Sequence, residues 1–377
     1  MAQRIYIVAG EVSGDAHGSG LMSALLERDP EIVFSGLGGP VMNRIAGGVR
    51  DWIGESAVVG FWEVLKKYRY FRGEFEQAIQ ELEDFSPDVV VLVDYPGFNL
   101  RLAAEVRKRG INTRIVQYIS PQVWAWKRGR IARMARILDR ILCLFPFEVD
   151  LYRGSGLDAR FVGHPVAEKL AELRGNSLRD EQLVALLPGS RQREIEKIFP
   201  VMLGAAAEMT KLKPGLRFAS AASGEKLAER MREMASERGV ECRIDVGNAH
   251  ELMATACCAA VASGTATLES AFLGLPYCIV YRVAWPTYYL ARALMAVDYL
   301  GMANLLAGRE LVREFLQGDA VATTVAAELL RLNQSREERE LLARELQEVT
   351  APLAELGVYK RAAAATLEEG ASSGKLP

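Results

Sequence analysis

The sequence predicts an α/β protein built from two doubly wound domains. Short, nearly continuous apolar runs alternate with longer amphipathic segments over most of the 377 residues, which is typical of parallel strands that helices cover on both faces. The apolar runs form two series, separated by the polar stretch ELRGNSLRDEQ. A chain of this length also exceeds what one ordinary core fills. We therefore predict domains over residues 1–165 and 180–318, followed by helices over 319–377.

The strands of the first domain are predicted in RIYIVAG, EIVFSGLGG, DVVVLVDY, TRIVQYIS, RILCLFP and ARFVG. Those of the second are predicted in LVALLPGS, LRFASAA, ECRIDVG, CCAAVASG and PYCIVYR. A hinge is expected around residues 164–180. From about Asp319 onward the pattern predicts only helices, with a disordered tail in EEGASSGKLP.

Composition excludes several classes of protein. The formal net charge of -2 argues against a surface built for nucleic acid. No apolar run approaches the ~20 residues of a membrane-spanning helix, and the N-terminus lacks the pattern of a secretory signal. Three histidines and five scattered cysteines without a C-x-x-C spacing favour neither a metal site nor a disulfide framework. We expect no metal and no cofactor.

The first strand runs into the glycine-rich stretch AGEVSGDAHGSG. Ligands of open parallel sheets bind in the loops after the strands, and such a loop often cradles phosphate. Here it carries Glu11, Ser13, Asp15 and His17, a poor match to an anion. We interpret these four side chains as hydroxyl partners, helix caps or helpers of a catalytic base.

Asp94 ends the apolar strand VVVLV and precedes Pro96 and Gly97. A carboxylate at the tip of a buried strand can have a raised pKa and act as a general base. The alternative is a helix cap or turn former, with Asn99 as a rival cap. The local pattern leaves both interpretations open.

The loop LLPGSRQREI opens the second domain. Gly189 permits a close turn, Ser190 can cap a helix, and Arg191 places a cation where a helix N-terminus favours an anion. We predict an anion site here; the alternative is a plain serine cap.

A second helix start follows the strand CCAAVA, with Ser263, Gly264, Thr265 and Ala266. Glu269 lies one turn beyond Thr265 and could accept two hydroxyl donors such as a ribose diol; the alternative is a solvent-exposed helix glutamate. The chain has neither the Walker motif nor G-x-G-x-x-G, and no D-x-D. These absences favour metal-free chemistry on a nucleotide-linked substrate.

Residues 58–72, VVGFWEVLKKYRYFR, combine aromatic and basic residues in the pattern of an amphipathic helix at a membrane surface. The predicted contacts to membrane or acyl chains are Phe61, Trp62, Leu65, Lys66, Lys67, Tyr68 and Arg69.

Taken together, these motifs resemble the lipid-A-disaccharide synthase family. The resemblance extends over most of the chain, through AGEVSGD, GLGGPVM, VVGFWEVL, PDVVVLVDYPGFNLRLA, YISPQVWAW, LFPFE, FVGHP, LLPGSRQREI, ASGTATLE and MANLLAGRELVREFLQ. It implies a GT-B fold, with two Rossmann-like domains facing a central cleft. It also implies an inverting, metal-independent transfer from UDP-2,3-diacylglucosamine to 2,3-diacylglucosamine 1-phosphate (lipid X), which yields the β-1,6-linked disaccharide 1-phosphate and UDP.

The resemblance also assigns residues. Asp94 is similar to the family's general base, Arg191 to the arginine on the UDP pyrophosphate, and Glu269 to the glutamate that holds the ribose. Asn304 and Gln317 match positions near the donor. The family further implies a peripheral protein on the cytoplasmic face of the bacterial inner membrane. It also implies a homodimer, with the C-terminal helices either on the first domain or exchanged between subunits.

Two alternatives remain at this point. Another GT-B enzyme, such as a muramyl-lipid N-acetylglucosaminyltransferase or a UDP-N-acetylglucosamine 2-epimerase, would share the fold and a UDP-N-acetylglucosamine-type ligand. A non-catalytic lipid-binding relative would share the fold without the reaction. The aromatic and basic segment at 58–72 argues against the epimerase, and the joint presence of Asp94, Arg191 and Glu269 argues against the non-catalytic relative.

Overall fold

The structure is a computed structural model of the chain. It describes residues 2–53, 61–124, 129–175, 178–283 and 297–368, and for residues 61–70 the backbone alone. The chain forms two compact units. One comprises the residues up to Pro165 together with the segment that starts at Glu355, and the other comprises Val166–Ala354.

The first unit contains a parallel sheet of seven strands in the order β3-β2-β1-β4-β5-β6-β7. The strands are β1 (Arg4–Ala9), β2 (Val33–Gly38), β3 (Val49–Asp51), β4 (Val89–Val93), β5 (Arg114–Tyr118), β6 (Arg140–Cys143) and β7 (Asp158–Phe161). The central strands β1 and β4 are buried on both faces, which explains their nearly continuous apolar runs.

Among the described residues up to Tyr152, six α-helices follow these strands. They are α1 (Val12–Arg28), α2 (Pro40–Ile45), α3 (Phe61–Phe85), α4 (Pro96–Lys108), α5 (Arg130–Ile137) and α6 (Pro146–Tyr152). Helices α3 to α6 share one apolar core with the sheet. Helix α1 packs against β1, β2 and β4, and α2 packs against β2 and β3. The sheet is therefore doubly wound, as the sequence predicts.

The second unit repeats this architecture with six parallel strands in the order β10-β9-β8-β11-β12-β13. The strands are β8 (Asp180–Leu187), β9 (Arg217–Ala222), β10 (Arg243–Val246), β11 (Ala256–Ala262), β12 (Tyr277–Tyr281) and β13 (Glu314–Leu316). Its helices are α7 (Val166–Leu170), α8 (Gln192–Leu212), α9 (Glu225–Glu237), α10 (Ala249–Thr255), α11 (Thr265–Phe272), α12 (Met302–Ala307), α13 (Ala322–Gln334) and α14 (Arg336–Thr350).

The predicted C-terminal helices divide between the two units. Helix α13 packs on α8 and β11, and α14 packs on α11 and α12, all in the second unit. The last described helix, α15 (Val358–Leu367), packs on α1 of the first unit. Arg114 and Arg140 donate to the carbonyl of Glu368 at 2.7 and 3.1 Å, so cations satisfy the C-terminal end of α15. The predicted disordered tail begins at Glu368, and its residues from 369 onward lie outside the described residues.

Candidate active site

Each sheet reverses its strand order at one point, and ligands of such sheets bind there. In the first sheet this point lies between β1 and β4; in the second it lies between β8 and β11. The loops that leave these four strands contain Glu11, Asp94, Arg191 and Thr265. The topology thus supports a candidate ligand site in each unit. Each site is formed by the loops that contain these polar residues.

Asp94 directly follows β4 and has a left-handed backbone conformation, with φ 47°. Tyr95, the next residue, has φ 44° and precedes Pro96 at the start of α4. Left-handed geometry costs a residue other than glycine roughly 1–2 kcal/mol. Two such residues in succession mark a turn that the surrounding structure holds in place, as is common at functional sites.

The protonation of Asp94 is shifted by its surroundings. Burial raises the pKa of its carboxyl, the backbone N–H of Tyr95 partly offsets this effect, and the negative charge of Glu11 raises the pKa further. A carboxylate with a raised pKa takes up a proton more readily than an ordinary aspartate. The environment of Asp94 therefore favours the general base over the simple helix cap.

The side chain of Asn99 holds this turn in place through hydrogen bonds. Its side chain is completely buried and Nδ2 donates to the carbonyl oxygens of Val93 at 3.1 Å and Asp94 at 2.7 Å. Of the two predicted roles, contact with the acceptor and support of the base, the structure favours the second. Asn99 is not the helix cap, because Tyr95 occupies that position.

The loop after β1 lies against the Asp94 turn. The ring of Tyr95 packs over Gly10, where a Cβ atom would overlap it. Glu11 is the N-cap residue of α1, makes no side-chain capping bond, and is exposed, as is Ser13. Glu11 is close enough to raise the pKa of Asp94. Glu11 and Ser13 therefore remain available to a ligand.

Asp15 and His17 have structural partners. Asp15 is 3% exposed, and its two carboxylate oxygens accept the backbone N–H groups of Gly39, Val41 and Met42 at 2.9–3.0 Å. Of the three roles predicted for Asp15, the structure shows the helix cap, because this carboxylate holds the start of α2. His17 is half-buried and lies 3.4 Å from the hydroxyl of Tyr359 on α15.

Two residues of the first unit were not singled out from the sequence. Gln117 lies in β5 and donates to the carbonyl of Asp94 at 3.1 Å. Glu148 in α6 accepts the indole N–H of Trp124 at 3.2 Å and the backbone N–H of Phe145 at 3.1 Å. Burial raises the pKa of Glu148 to about 7, although these hydrogen bonds oppose the rise. The sequence signal for Gln117 is an amide between Val116 and Tyr118 in the buried part of β5.

In the second unit the loop after β8 contains Gly189, with φ 107°. A Cβ atom here would meet Glu194. Helix α8 begins at Gln192, so Arg191 rather than Ser190 is the N-cap residue; the prediction of a serine cap is wrong by one residue. The carbonyl of Ser190 accepts a bond from Ser223. The Arg191 side chain is 81% exposed and contacts only Glu194 among the described residues, at 3.2 Å.

The loop after β11 leads to α11 through Gly264, which is its N-cap residue and has φ 152°. Thr267 donates to the carbonyl of Gly264 at 2.7 Å. Gly264 and Thr265 are exposed, while Ser263 and Ala266 are half-buried. The first N–H groups of α11 are therefore available to an acceptor or anion.

Glu269 is largely buried, with 15% of its side chain exposed. Its Oε1 accepts a bond from Lys169 at 2.8 Å and lies 3.4 Å from His250 Nε2. Burial opposes ionisation, but His250 and Lys169 outweigh it and lower the pKa to about 2. Glu269 is thus an oriented carboxylate rather than the solvent-exposed glutamate of the alternative interpretation.

Asn304 and Gln317, predicted to lie near the donor, both make hydrogen bonds within the second unit. Asn304 is completely buried; its amide donates to Val312 and Glu314 and accepts from the backbone of Leu311 and Val312. Gln317 is 5% exposed and bonds both backbone groups of Val283, at 2.8 and 3.2 Å. Both amides therefore hold loops of the second unit in place.

The predicted membrane contacts begin α3, whose backbone is helical from Phe61. The side chains of Phe61, Trp62, Leu65, Lys66, Lys67, Tyr68 and Arg69 lie outside the described residues. None of the helices within the described ranges is long and apolar enough to cross a membrane. In the same ranges, no group of three or more His, Cys, Asp or Glu side chains could hold a metal ion.

Comparison with known proteins yields one family. The family described as Lipid-A-disaccharide synthetase matches residues 5–368. The chain is 38% identical to the lipid-A-disaccharide synthase of Syntrophus aciditrophicus, covering 96% of this chain and 97% of that one. It is 37% identical to the enzyme of the same name from Myxococcus xanthus, with 97% of both chains covered.

Solved structures agree on the fold. A putative UDP-N-acetylglucosamine 2-epimerase from Listeria monocytogenes superposes with a TM-score of 0.63 at 12% identity, covering 97% of this chain and 96% of the other. The calicheamicin glycosyltransferase superposes with a TM-score of 0.57 at 14% identity, covering 97% and 99%. The predicted GT-B fold is confirmed, and the sequence relatives distinguish a synthase from an epimerase. The chain belongs to the lipid-A-disaccharide synthase family and is a glycosyltransferase.

Proposed function

We propose that this protein transfers 2,3-diacylglucosamine from UDP to the 6-hydroxyl of lipid X, with inversion at the donor carbon. The observation that carries the mechanism is Asp94, a partly buried carboxylate with a raised pKa at the strand-order reversal of the first sheet. The acceptor oxygen attacks the anomeric carbon, the bond from that carbon to the phosphate oxygen breaks, and UDP leaves. Asp94 takes the proton of the 6-hydroxyl.

The first unit binds the acceptor in this proposal. Glu11 and Ser13 are exposed beside the Asp94 turn, so they are suited to hydrogen-bond the hydroxyls of the acceptor sugar. His17 is half-buried and lies in α1, the helix that follows the same loop. Glu11 also strengthens Asp94 as a base through its negative charge, which disfavours ionisation of the second carboxyl.

The second unit binds the donor. The exposed guanidinium of Arg191 and the N-terminal amides of α11 at Gly264 and Thr265 stabilise the pyrophosphate as negative charge develops on UDP. Gly189 and Ser190 let the backbone approach closely, and Ser263 and Ala266 flank the second helix start. The carboxylate of Glu269 accepts the two ribose hydroxyls. These groups supply the neutralising charge without a metal ion.

We also propose a peripheral attachment to the cytoplasmic face of the bacterial inner membrane. Both substrates carry acyl chains, and the first turns of α3 combine Trp62 and Tyr68 with Lys66, Lys67 and Arg69. Such a helix can insert aromatics into the headgroup region while its cations meet anionic lipid. The working unit is proposed to be a homodimer, with α15 either on its own chain or exchanged.

The direct test is an assay of the purified protein with UDP-2,3-diacylglucosamine and lipid X. We expect equal amounts of UDP and disaccharide 1-phosphate, with the β anomer as product and no loss of rate in EDTA. Turnover of UDP-N-acetylglucosamine with an unacylated acceptor, at equal or higher efficiency, would support another GT-B activity instead. A strict requirement for Mg²⁺ would contradict the proposed charge neutralisation.

A further inference from the structure

Gln117 connects the ends of the two strands beside the candidate base. It lies in β5, which pairs with β4, and its side chain is completely buried. Nε2 donates to the carbonyl oxygens of Asp94 at 3.1 Å, Tyr118 at 3.4 Å and Ile119 at 3.2 Å. The backbone N–H of Asp94 in turn donates to the carbonyl of Tyr118 at 2.9 Å. One amide therefore ties the turn after β4 to the turn after β5.

These contacts fall on strained backbone. Ile119 has φ 73°, a conformation that is a genuine outlier for a β-branched residue. Asp94 and Tyr95 are also left-handed, at 47° and 44°. Such conformations persist only where the surroundings impose them. Gln117 binds the carbonyls of Asp94 and Ile119 directly, and Asn99 binds the Asp94 carbonyl as well.

The oxygen atoms of the Gln117 and Asn99 amides indicate that the N–H groups, and not the oxygens, are the reason for these side chains. Among the described residues, Oε1 of Gln117 and Oδ1 of Asn99 are buried without a hydrogen-bond partner. A buried acceptor without a partner destabilises a protein, and an apolar side chain of similar size would avoid that cost. The N–H groups account for the presence of both amides, since they bind the carbonyls that fix the Asp94 turn.

We propose that Gln117, together with Asn99, is a positioning residue that fixes the direction of the Asp94 carboxylate. Its donated bonds hold the left-handed turn, so the carboxylate is presented to the acceptor hydroxyl without rearrangement. This inference rests on the proposed function of Asp94 as the base. Misplacing a reacting group by about 1 Å can cost roughly 10²-fold in rate, so the loss of Gln117 acts on turnover rather than on substrate affinity.

The test compares Gln117→Met, which keeps the length of the side chain and removes its N–H groups, with Val116→Ala. Val116 is buried on the same strand with its side chain on the opposite face, so it controls for a general loss of stability. We expect Gln117→Met to lower kcat about 10²-fold with the KM of both substrates retained. Val116→Ala should lower Tm and leave kcat unchanged.

Asp94→Asn, measured alongside, separates the two proposals. If Asp94→Asn is nearly inactive while Gln117→Met keeps wild-type kcat, the positioning role is wrong and the proposed function stands. If Asp94→Asn keeps wild-type turnover, Asp94 is not the base; the positioning role of Gln117 is then wrong as well, whereas the proposed transfer reaction stands. Should Gln117→Met fail to fold, Gln117→Asn takes its place, because its shorter side chain keeps the amide but reaches fewer carbonyls. A wild-type kcat for Gln117→Asn would then overturn the inference.

Discussion

The ring of Tyr95 covers the backbone of Gly10, so that a side chain at residue 10 and the ring at residue 95 cannot occupy their places together. This contact joins the end of β1 to the left-handed turn at the end of β4. It also explains why Gly10, the first glycine of AGEVSGDAHGSG, is a glycine. That glycine provides room for an aromatic ring beside Asp94, and the loop needs no phosphate to explain it.

Gly10→Ala should therefore shift the candidate base Asp94 indirectly, through the ring of Tyr95. The new methyl group displaces the Tyr95 ring, which moves the adjacent Asp94, so we expect kcat to fall at least about 10-fold and Tm to fall with it. Gly73→Ala is the matched control, because a Cβ atom at Gly73 in α3 meets no neighbour, and alanine favours a helix by about 1 kcal/mol. Wild-type kinetics in Gly10→Ala would show that the position of Tyr95 is unimportant.

Asp94→Asn should lower the activity of the protein and raise its stability. The folded pKa of Asp94 lies above its ordinary value because of burial, so ionising this carboxyl destabilises the fold, and this cost sets in as the pH rises through the unfolded and then the folded pKa. Asparagine has no such cost. We expect Asp94→Asn to lower kcat by about 10²-fold or more and to raise Tm at pH 7 to 8.

Thermal unfolding of both proteins between pH 4 and pH 8 provides the check. The Tm difference should shrink towards acidic pH, where the wild-type carboxyl is protonated as well. A variant that is less stable than the wild type at pH 8 would contradict the burial argument for Asp94.

Glu269→Gln should have the opposite pH dependence. A folded pKa lowered from 4.5 to about 2 corresponds to about 3 kcal/mol of stability, which is present above the unfolded pKa and is lost as the pH falls from about 4.5 to 2. The wild type should therefore exceed the variant in free energy of unfolding at pH 7 and lose this advantage in acid. The variant should also bind the UDP-sugar more weakly.

Urea unfolding at several pH values measures this difference. Glu340→Gln is the control, since Glu340 pairs with Arg336 at the exposed surface of α14, where ion pairs contribute little. Equal pH dependence in both variants would mean that Lys169 and His250 do not hold Glu269 in its ionised form.

Asp15→Ala should lower stability rather than catalysis. Removal of this carboxylate leaves the N–H groups of Gly39, Val41 and Met42 without their acceptor, and we expect a loss of about 3 kcal/mol in the free energy of unfolding. Asp15→Asn should lose less, because one oxygen can still accept. Ser13→Ala, at an exposed position two residues away, should leave stability unchanged. A large rise in the KM of the acceptor with unchanged stability in Asp15→Ala would restore a direct role in binding.

The interior of the fold could be predicted from the sequence because its strands are buried on both faces. All eleven predicted strands are present. Two further strands in the described ranges, β3 and β13, were not predicted and lie at the outer edges of the sheets. Each contains only three residues, VRD and EFL, too few for a periodic pattern. Their position depends on pairing with β2 and β12, which the local sequence does not encode.

Loops with unusual residues were also identified from sequence, but the partners of those residues were not. Nothing local shows that Asp15 reaches the start of α2, or that Gln117 reaches the turn after another strand. The sequence also does not indicate the left-handed conformation of Asp94 and Tyr95, because neither residue is a glycine. Buried amides such as Asn304 resemble ligand contacts in a motif until their tertiary hydrogen bonds are known.

Variants of Arg191 and Asn304 test whether a residue binds the donor or holds the fold, since the sequence predicts both residues near the donor. Arg191 is exposed and pairs weakly, so Arg191→Ala should leave Tm unchanged and impair the reaction, because the charge that builds on UDP loses a cation. Arg191→Lys should restore part of the rate, since a lysine keeps the charge but not the planar donor geometry. Asn304→Ala should lower Tm strongly, because it leaves the N–H groups of Leu311 and Val312 without their acceptor and removes one donor to the carboxylate of Glu314. Steady-state kinetics at a temperature where each variant is folded should then show a low kcat/KM for the UDP-sugar in Arg191→Ala and a nearly normal one in Asn304→Ala. The reverse pattern would place Asn304 at the donor and Arg191 outside it.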